Sequence, residues 1–167
     1  MYFCKGLAIE MNFNEINIKQ LSSEEAPFEL LLLADPSPKM VNSYLNQCEI
    51  FAAALKSEII GIILLSPIQE NTIEIKNISV KPNYQNKGLG KLLLHHAEEF
   101  AIIKGYSKLR ICTGNSSLNQ ILLYQKMEYL IIEEVENFFP QHYAEPIFEN
   151  GILCTNLIIL EKEISSS

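Results

Sequence analysis

No stretch of this chain holds the 18 or so consecutive apolar residues that a membrane-spanning helix needs. The longest candidate, Ile59 to Leu65, has the length of a strand and contains Gly61. The opening Met1–Glu10 carries one lysine and no extended apolar stretch, so a secretory signal is not expected, and Met11 is a candidate alternative start. The four cysteines, Cys4, Cys48, Cys112 and Cys154, are scattered without a CxxC pair. A zinc site or a disulfide framework is therefore not expected, and free thiols, no metal and a cytoplasmic location are. Basic residues are outnumbered, 13 Lys and Arg against 20 Asp and Glu, for a formal charge of −7. A nucleic-acid partner is not expected, because neutralising phosphates takes a basic face. The same charge is compatible with a cationic substrate, or simply with solubility. There are no repeats, low-complexity tracts or linkers, so residues 1–167 read as one domain, with 1–11 an irregular extension.

What is present is a change of period. Ile16 to Leu21 alternates apolar and polar residues, as a half-buried strand does. Ser22-Ser23-Glu24-Glu25 resembles a helix start, continued by Phe28 to Ala34 and interrupted by Pro36 and Pro38. A short helix is expected over Lys39–Leu45. Glu49–Leu55, Ile59–Ile68 and Thr72–Val80 are three strands with short polar links, which predicts an antiparallel meander. After Pro82 apolar residues recur at helical spacing: Leu89, Leu92, Leu93, Ala97, Phe100 and Ala101 share one face, and Gly105 ends the run. Lys108–Thr113 is a strand, Leu118–Met127 a helix with Leu122, Leu123 and Met127 inward, and Tyr129–Val135 and Cys154–Leu160 are further strands. Glu136–Gly151 between them is long, aromatic and acidic.

The junction from Thr72 to Phe100 is strand, turn, helix, a unit that presents free backbone N–H groups at the helix start. Gly88 and Gly90 carry no Cβ and let the backbone approach a ligand closely. Lys87 and Lys91 add charge on either side, and Gln85 and Asn86 supply amides. Together they suit a pyrophosphate, although a Gly-x-Gly turn before a helix can also be purely structural. GxxxxGK[ST] is absent, as is a dinucleotide-type glycine triplet with its ribose-binding acid.

The stretch Ile75-Lys76-Asn77-Ile78-Ser79-Val80-Lys81-Pro82-Asn83-Tyr84-Gln85-Asn86-Lys87-Gly88-Leu89-Gly90-Lys91 resembles the acetyl-CoA motif of the GNAT N-acetyltransferases, R/Q-x-x-G-x-G/A after a strand. Leu123-Tyr124-Gln125-Lys126 is similar to that family's LYEK helix. Glu128 stands where the family has glycine, and Tyr129 where it has phenylalanine. Phe138 to Gly151, together with Thr113 to Ser117, looks like a bacterial subgroup, the YvbK-like acetyltransferases. The resemblance implies an α/β fold, a mixed and mostly antiparallel sheet of six or seven strands with about four helices. That sheet would splay around acetyl-CoA between the Thr72–Val80 and Lys108–Thr113 strands.

The resemblance further implies that the backbone of Ile78 and Val80 takes the pantetheine arm. The N–H groups of Gln85, Asn86, Lys87, Gly88, Leu89 and Gly90 would take the pyrophosphate, with Lys91 beside them. Ser117 occupies the family's asparagine position, and Asn115 and Asn119 are neighbouring candidates for the same contact. Tyr124 matches the general acid for the departing thiolate. Acetylating a lysine-like ammonium of pKa about 10.4 first costs roughly 4.6 kcal/mol of deprotonation at neutral pH. A carboxylate or an ordered water can carry that proton. Glu74, on the strand leading to the turn, has an offset similar to the base of histone acetyltransferases. His142, Tyr143, Glu145 and Glu149 in the long connection are candidates to line the acceptor pocket, and a homodimer contact is the other use of such a loop. His95, His96 and Glu99 read as a helix surface group, and Glu133, Glu134 and Glu136 as a solvated charge run. The implied function is acetyl transfer from acetyl-CoA to a primary amine of a small cation or a protein. A non-catalytic acyl-CoA sensor and a protein-interaction module are the alternatives.

Overall fold

A computed structural model describes residues 11–165. Cys4 and most of the expected N-terminal extension lie outside them. The first strand, β1 (Ile16–Leu21), pairs antiparallel with β2 (Glu49–Leu55), β2 with β3 (Glu58–Gln69) and β3 with β4 (Thr72–Val80), which makes the expected meander. Beyond it β4 pairs parallel with β5 (Lys108–Gly114). Two strands from the end of the chain complete a seven-stranded sheet of order β1-β2-β3-β4-β5-β9-β6, with β6 at Leu130–Val135 and β9 at Leu157–Glu163.

The sheet has two apolar layers. On one face α3 (Leu89–Ile103) and α4 (Leu118–Lys126) bury Leu89, Leu93, Leu94, Ala97, Tyr124 and Met127 against Ile63, Leu65, Ile73, Ile75, Leu109 and Ile111. On the other, α1 (Phe28–Leu31) and α2 (Pro38–Tyr44) set Leu30, Leu31 and Val41 against Ile50, Ile62 and Leu64. Strands buried on both faces read as near-continuous apolar runs, which is why Ile59–Leu65 looked so hydrophobic.

Several boundaries differ from the expected ones, each for a local reason. The helix foreseen from Ser22 begins only at Phe28. Ser22 N–H instead donates to Glu25 Oε2 at 2.8 Å in a closed turn, and Pro27, the residue before the helix, cannot supply a ladder N–H. Pro38 does not break a helix; it opens α2 behind Ser37, whose Oγ accepts from Met40 N–H at 3.3 Å. Leu122 is exposed at 54 %, and Ile121 takes the inward place on α4. Glu128 adopts φ +70°, the left-handed end that glycine normally supplies, so α4 stops where the family motif stops it despite the missing glycine. The last central strand starts at Leu157 rather than Cys154. The long connection is not bare loop: it contains α5 (Phe138–His142) and a two-stranded hairpin of β7 (Phe148–Glu149) and β8 (Ile152–Leu153).

Gly114 closes β5 against this connection. A Cβ built there would lie 2.2 Å from Cys154 Sγ, a contact that real side chains do not make. Gly114→Ala should therefore destabilise the fold by about 1–3 kcal/mol, the usual cost of overpacking. Adding Cys154→Ala should recover much of the loss, and urea unfolding of both variants checks it.

Candidate active site

The parallel register of β4 and β5 covers only Thr72–Ile75 against Lys108–Ile111. Beyond it the strands part: β5 continues from Cys112 to Gly114 beside β9, and β4 continues to Val80 beside β3. The parting coincides with a bulge, because Leu64 faces Asn77 while its neighbour Leu65 faces Ile75 and leaves Lys76 unmatched. A bulge bends its strand and steepens the local twist. It also resets the alternation: Ile73 and Ile75, then Ile78 and Val80, pack on the α3 layer. Asn77 and Ser79 turn the other way, to the carbonyls of Leu31 at 3.0 Å and Leu30 at 2.7 Å. Those carbonyls also accept from the N–H groups of Leu33, Ala34 and Asp35, so the side chains of β4 add a second tie to the end of α1.

The wedge leads to the turn before α3. Asn86 at φ +58° and Gly88 at φ +88° reverse the chain within three residues. Gln85 folds back, its Nε2 donating to Val80 O at 2.9 Å. Leu89 is 1 % exposed in the core, which leaves its backbone N–H as its contribution, and the N–H groups of Gly90 and Lys91 likewise precede the first intrahelical bond, Leu92 N–H to Gly88 O. Free N–H groups at the positive end of a 15-residue helix make an anion site. Lys87 lies with its Nζ 5.9 Å from the Tyr84 ring, and Lys91 is exposed on the first turn. Gly88 has a packing reason too, since a Cβ there would meet Phe13 at 3.2 Å. Gly90 faces α4, with Leu123 at 3.9 Å from its own Cβ position.

Across the wedge Tyr124 is 5 % exposed, and the phenol oxygen sealed away without a partner is that of its neighbour Tyr129. Burial, and secondarily the charge of Glu149, raises the pKa of Tyr124 above the ordinary phenol value, so the phenol stays protonated. Glu149 arrives from β7 and accepts a hydrogen bond from Ser117 Oγ, at the start of α4. Asn119 is exposed on the first turn of α4. Asn115 is committed elsewhere: its Oδ1 accepts from Thr155 N–H at 3.0 Å and Asn156 N–H at 3.1 Å, and its Nδ2 donates to Thr155 Oγ1 at 3.3 Å.

On the α1 side of the wedge Glu74 is only 13 % exposed and pairs with Lys76 Nζ at 2.9 Å. Burial pushes the nearby Cys112 thiol up to about 12, with Glu74 adding to it, and raises the Cys48 thiol to about 11. Neither is a thiolate at neutral pH, so neither is equipped to carry an acyl group. Tyr143 OH donates to Asp35 Oδ1 at 3.3 Å, and Tyr44 OH to Asp35 Oδ2 at 3.4 Å while accepting from Asn77 Nδ2 at 3.1 Å. Burial raises the Asp35 carboxyl above its ordinary value, opposed by the hydrogen bonds from Ser37, Tyr143 and Tyr44. His142 is exposed; its ring stacks on Phe138 at 4.1 Å and its Nδ1 meets Phe138 O at 2.7 Å. Glu145 is exposed on a cleft of about 440 Å³ between Pro36–Pro38 and Tyr143–Phe148.

Ser117, Tyr124 and Glu149 are thus brought together, Glu74 stands with Lys76, and His142 and Glu145 stay on the surface. Asp35, Tyr44 and Asn77 were not foreseen, because a turn aspartate and a strand asparagine carry no signal until the fold joins them. Among the described residues no group of three His, Cys, Asp or Glu is placed to hold a metal, and no helix is long and apolar enough to cross a membrane.

The profile of the acetyltransferase (GNAT) family matches residues 17–129. The chain is 41 % identical over 152 residues to the uncharacterized N-acetyltransferase YvbK of Bacillus subtilis, covering 90 % of this chain and 97 % of that one. Among solved structures it is similar to a GNAT family acetyltransferase from Elizabethkingia anophelis with acetyl-CoA bound. Identity there is 44 %, the TM-score 0.87, and coverage 90 % of this chain and 99 % of that one. A Bacillus subtilis acetyltransferase in complex with CoA follows at 40 % identity and a TM-score of 0.81, covering 90 % and 98 %.

The Asn115 clip holds the end of β5 to the segment before β9 and so sets the far wall of the wedge. Asn115→Ala should cost about 1–3 kcal/mol, because it strips partners from the Thr155 and Asn156 N–H groups. Thermal and urea denaturation measure that loss.

Proposed function

Because the chain belongs to the GNAT acetyltransferase family, in its bacterial YvbK-like subgroup, we propose that it transfers acetyl from acetyl-CoA directly to a primary amine. One observation carries the reading: the edge of β4 from Lys76 to Val80, unpaired with β5, runs straight into the N–H groups opening α3. A pantetheine arm can lie along the first as an added strand while its pyrophosphate sits on the second. The relatives that hold acetyl-CoA and CoA support the same occupant.

In this reading Ile78 and Val80 offer backbone groups to the arm, and Gln85, Asn86, Lys87, Gly88, Leu89, Gly90 and Lys91 surround the pyrophosphate. Ser117 and Asn119 lie at the opening turn of α4, toward the thioester end. The amine nitrogen attacks the thioester carbon, the carbon–sulfur bond breaks, and Tyr124 gives its proton to the departing sulfur. Its burial keeps that proton available throughout the working pH range. Glu74 takes the proton that the ammonium must lose, its carboxylate already oriented by Lys76. The high thiol pKa values of Cys48 and Cys112 favour direct attack over an acyl-cysteine intermediate. An acceptor that arrives as a cation suits the acidic chain.

Thiol release from acetyl-CoA against a panel of primary amines tests the reading. Tyr124→Phe should lower kcat by roughly 10²-fold or more, and Glu74→Gln by a similar order, the range of general acid–base catalysis. Acetyl-CoA binding, followed by calorimetry, should survive both changes. Wild-type rate should show no alkaline loss from the tyrosine below about pH 10, since its pKa lies above the free phenol's. Failure of the wild-type protein to bind acetyl-CoA would exclude the assignment.

A further inference from the structure

The hairpin in the long connection is built against the usual pattern. Its turn is Asn150-Gly151, with φ of +50° and +75°, the pair of left-handed residues that a tight two-residue hairpin requires. Cys154 N–H to Ile147 O at 2.8 Å continues the pairing, so the direction of β7 is set by its own backbone. Such a ribbon would be expected to turn its apolar residues inward. Here Phe148, Ile152 and Leu153 are exposed at 65 %, 41 % and 44 %, while the half-buried residue is the carboxylate, Glu149. A local rule broken in this way marks a functional position more often than a structural one.

Glu149 has one partner among the described residues, the hydroxyl of Ser117 on Oε2. No Lys, Arg or His of the described residues forms an ion pair with it, whereas Glu58, Glu74, Glu98, Glu128 and Glu161 each have a cation within reach. A half-buried carboxylate with no counterion is open to a ligand that brings one. Tyr124 stands beside it, 5 % exposed and close enough for the charge of Glu149 to act on its phenol. The gap beside Tyr124 thus holds a carboxylate with no ion-pair partner among the described residues, and an ammonium group supplies one.

We propose that Glu149, positioned by Ser117, binds the positively charged nitrogen of the acceptor next to Tyr124 and selects cationic primary amines over neutral nucleophiles. The proposal rests on the acetyl-transfer reading for the identity of the ligand as acceptor. It assigns Glu149 to recognition and leaves proton removal to Glu74. Ser117 acts through Glu149 and is a positioning residue: its hydroxyl holds one carboxylate oxygen and leaves the other for the ligand.

The test uses the full chain loaded with CoA, titrated with n-butylammonium and, as the neutral counterpart of equal length, n-butanol. The probe signal is the side-chain carboxyl ¹³C resonance of Glu149, assigned as the peak missing from Glu149→Gln. Butylammonium should shift it saturably and butanol should not. Glu149→Gln, which keeps an oxygen to accept from Ser117, should weaken butylammonium roughly tenfold or more, the size of one lost charged hydrogen bond. Ser117→Ala, which keeps the charge, should weaken it less, and CoA affinity should move far less than amine affinity in either variant. In turnover, the KM for amines should rise in Glu149→Gln by more than kcat falls. An unmoved carboxyl resonance, or equal butylammonium affinity in wild type and Glu149→Gln, overturns the assignment. Absence of thiol release with the resonance shift intact would instead overturn the acetyl-transfer reading and leave the ammonium site standing.

Discussion

The single extra residue in β4 governs the molecule. Lys76 has no counterpart on β3, and at that point β4 and β5 cease to be neighbours. A parallel pair that stayed in register would satisfy its own backbone and leave nothing to bind with. The bulge opens the pair after four residues and presents a strand edge inside the fold rather than at its rim. It also determines which residues see which layer. Without the reset at Lys76, Ile78 and Val80 would face α1, and Asn77 and Ser79 would be pushed as polar groups into the α3 core.

The wedge is then held open from both ends. At one end Asn77 and Ser79 hold the last carbonyls of α1, so the first helix cannot drift into the gap. At the other, Asn115 ties the end of β5 to Thr155 and Asn156, and Gly114 lets Cys154 come close enough for that tie to form. Burial of these polar contacts matters more than their number, because each would cost about 1–3 kcal/mol if left unmade.

Much of this was legible in the residues. The meander, the change from period two to helical spacing at Pro82, and the Gln85–Gly90 turn are local signals, and each element lies within a few residues of its expected place. The misplacements share a physical origin. Ser22-Ser23-Glu24-Glu25 has helix-start chemistry, yet the reach of its own side chains closes a turn before Pro27. Cys154 to Asn156 has strand composition, but its backbone N–H groups at Thr155 and Asn156 go to a side chain 40 residues away. Asp35, Tyr44, Asn77 and Tyr143 form one network only because the sheet brings together α2, β4 and the segment after α5. Non-local pairings of that kind leave no trace in periodicity. Glu128 is the opposite case: the family's glycine is missing, yet the turn survives, because Met127 N–H and Tyr129 N–H still find the carbonyls of Leu123 and Tyr124. Satisfied backbone groups offset the left-handed strain of one non-glycine residue, which is on the order of 1–2 kcal/mol.

The same geometry gives the wedge an electrical direction. Its α3 end is positive by construction, with free N–H groups at a 15-residue helix start and Lys87 and Lys91 alongside. Away from that end stand Glu74 on the α1 side and Glu149 beside Ser117, both partly withdrawn from water, where charges act more strongly than on an open surface. In the proposed reaction the anionic tail of acetyl-CoA would face the positive end and a cationic acceptor the carboxylates. Tyr124 lies buried beside Glu149, and its surroundings keep the phenol protonated. The separation of charge follows from topology: β4 carries Glu74 near its start and ends before the turn that opens α3, so a single strand runs from an acidic side chain toward a positive helix end.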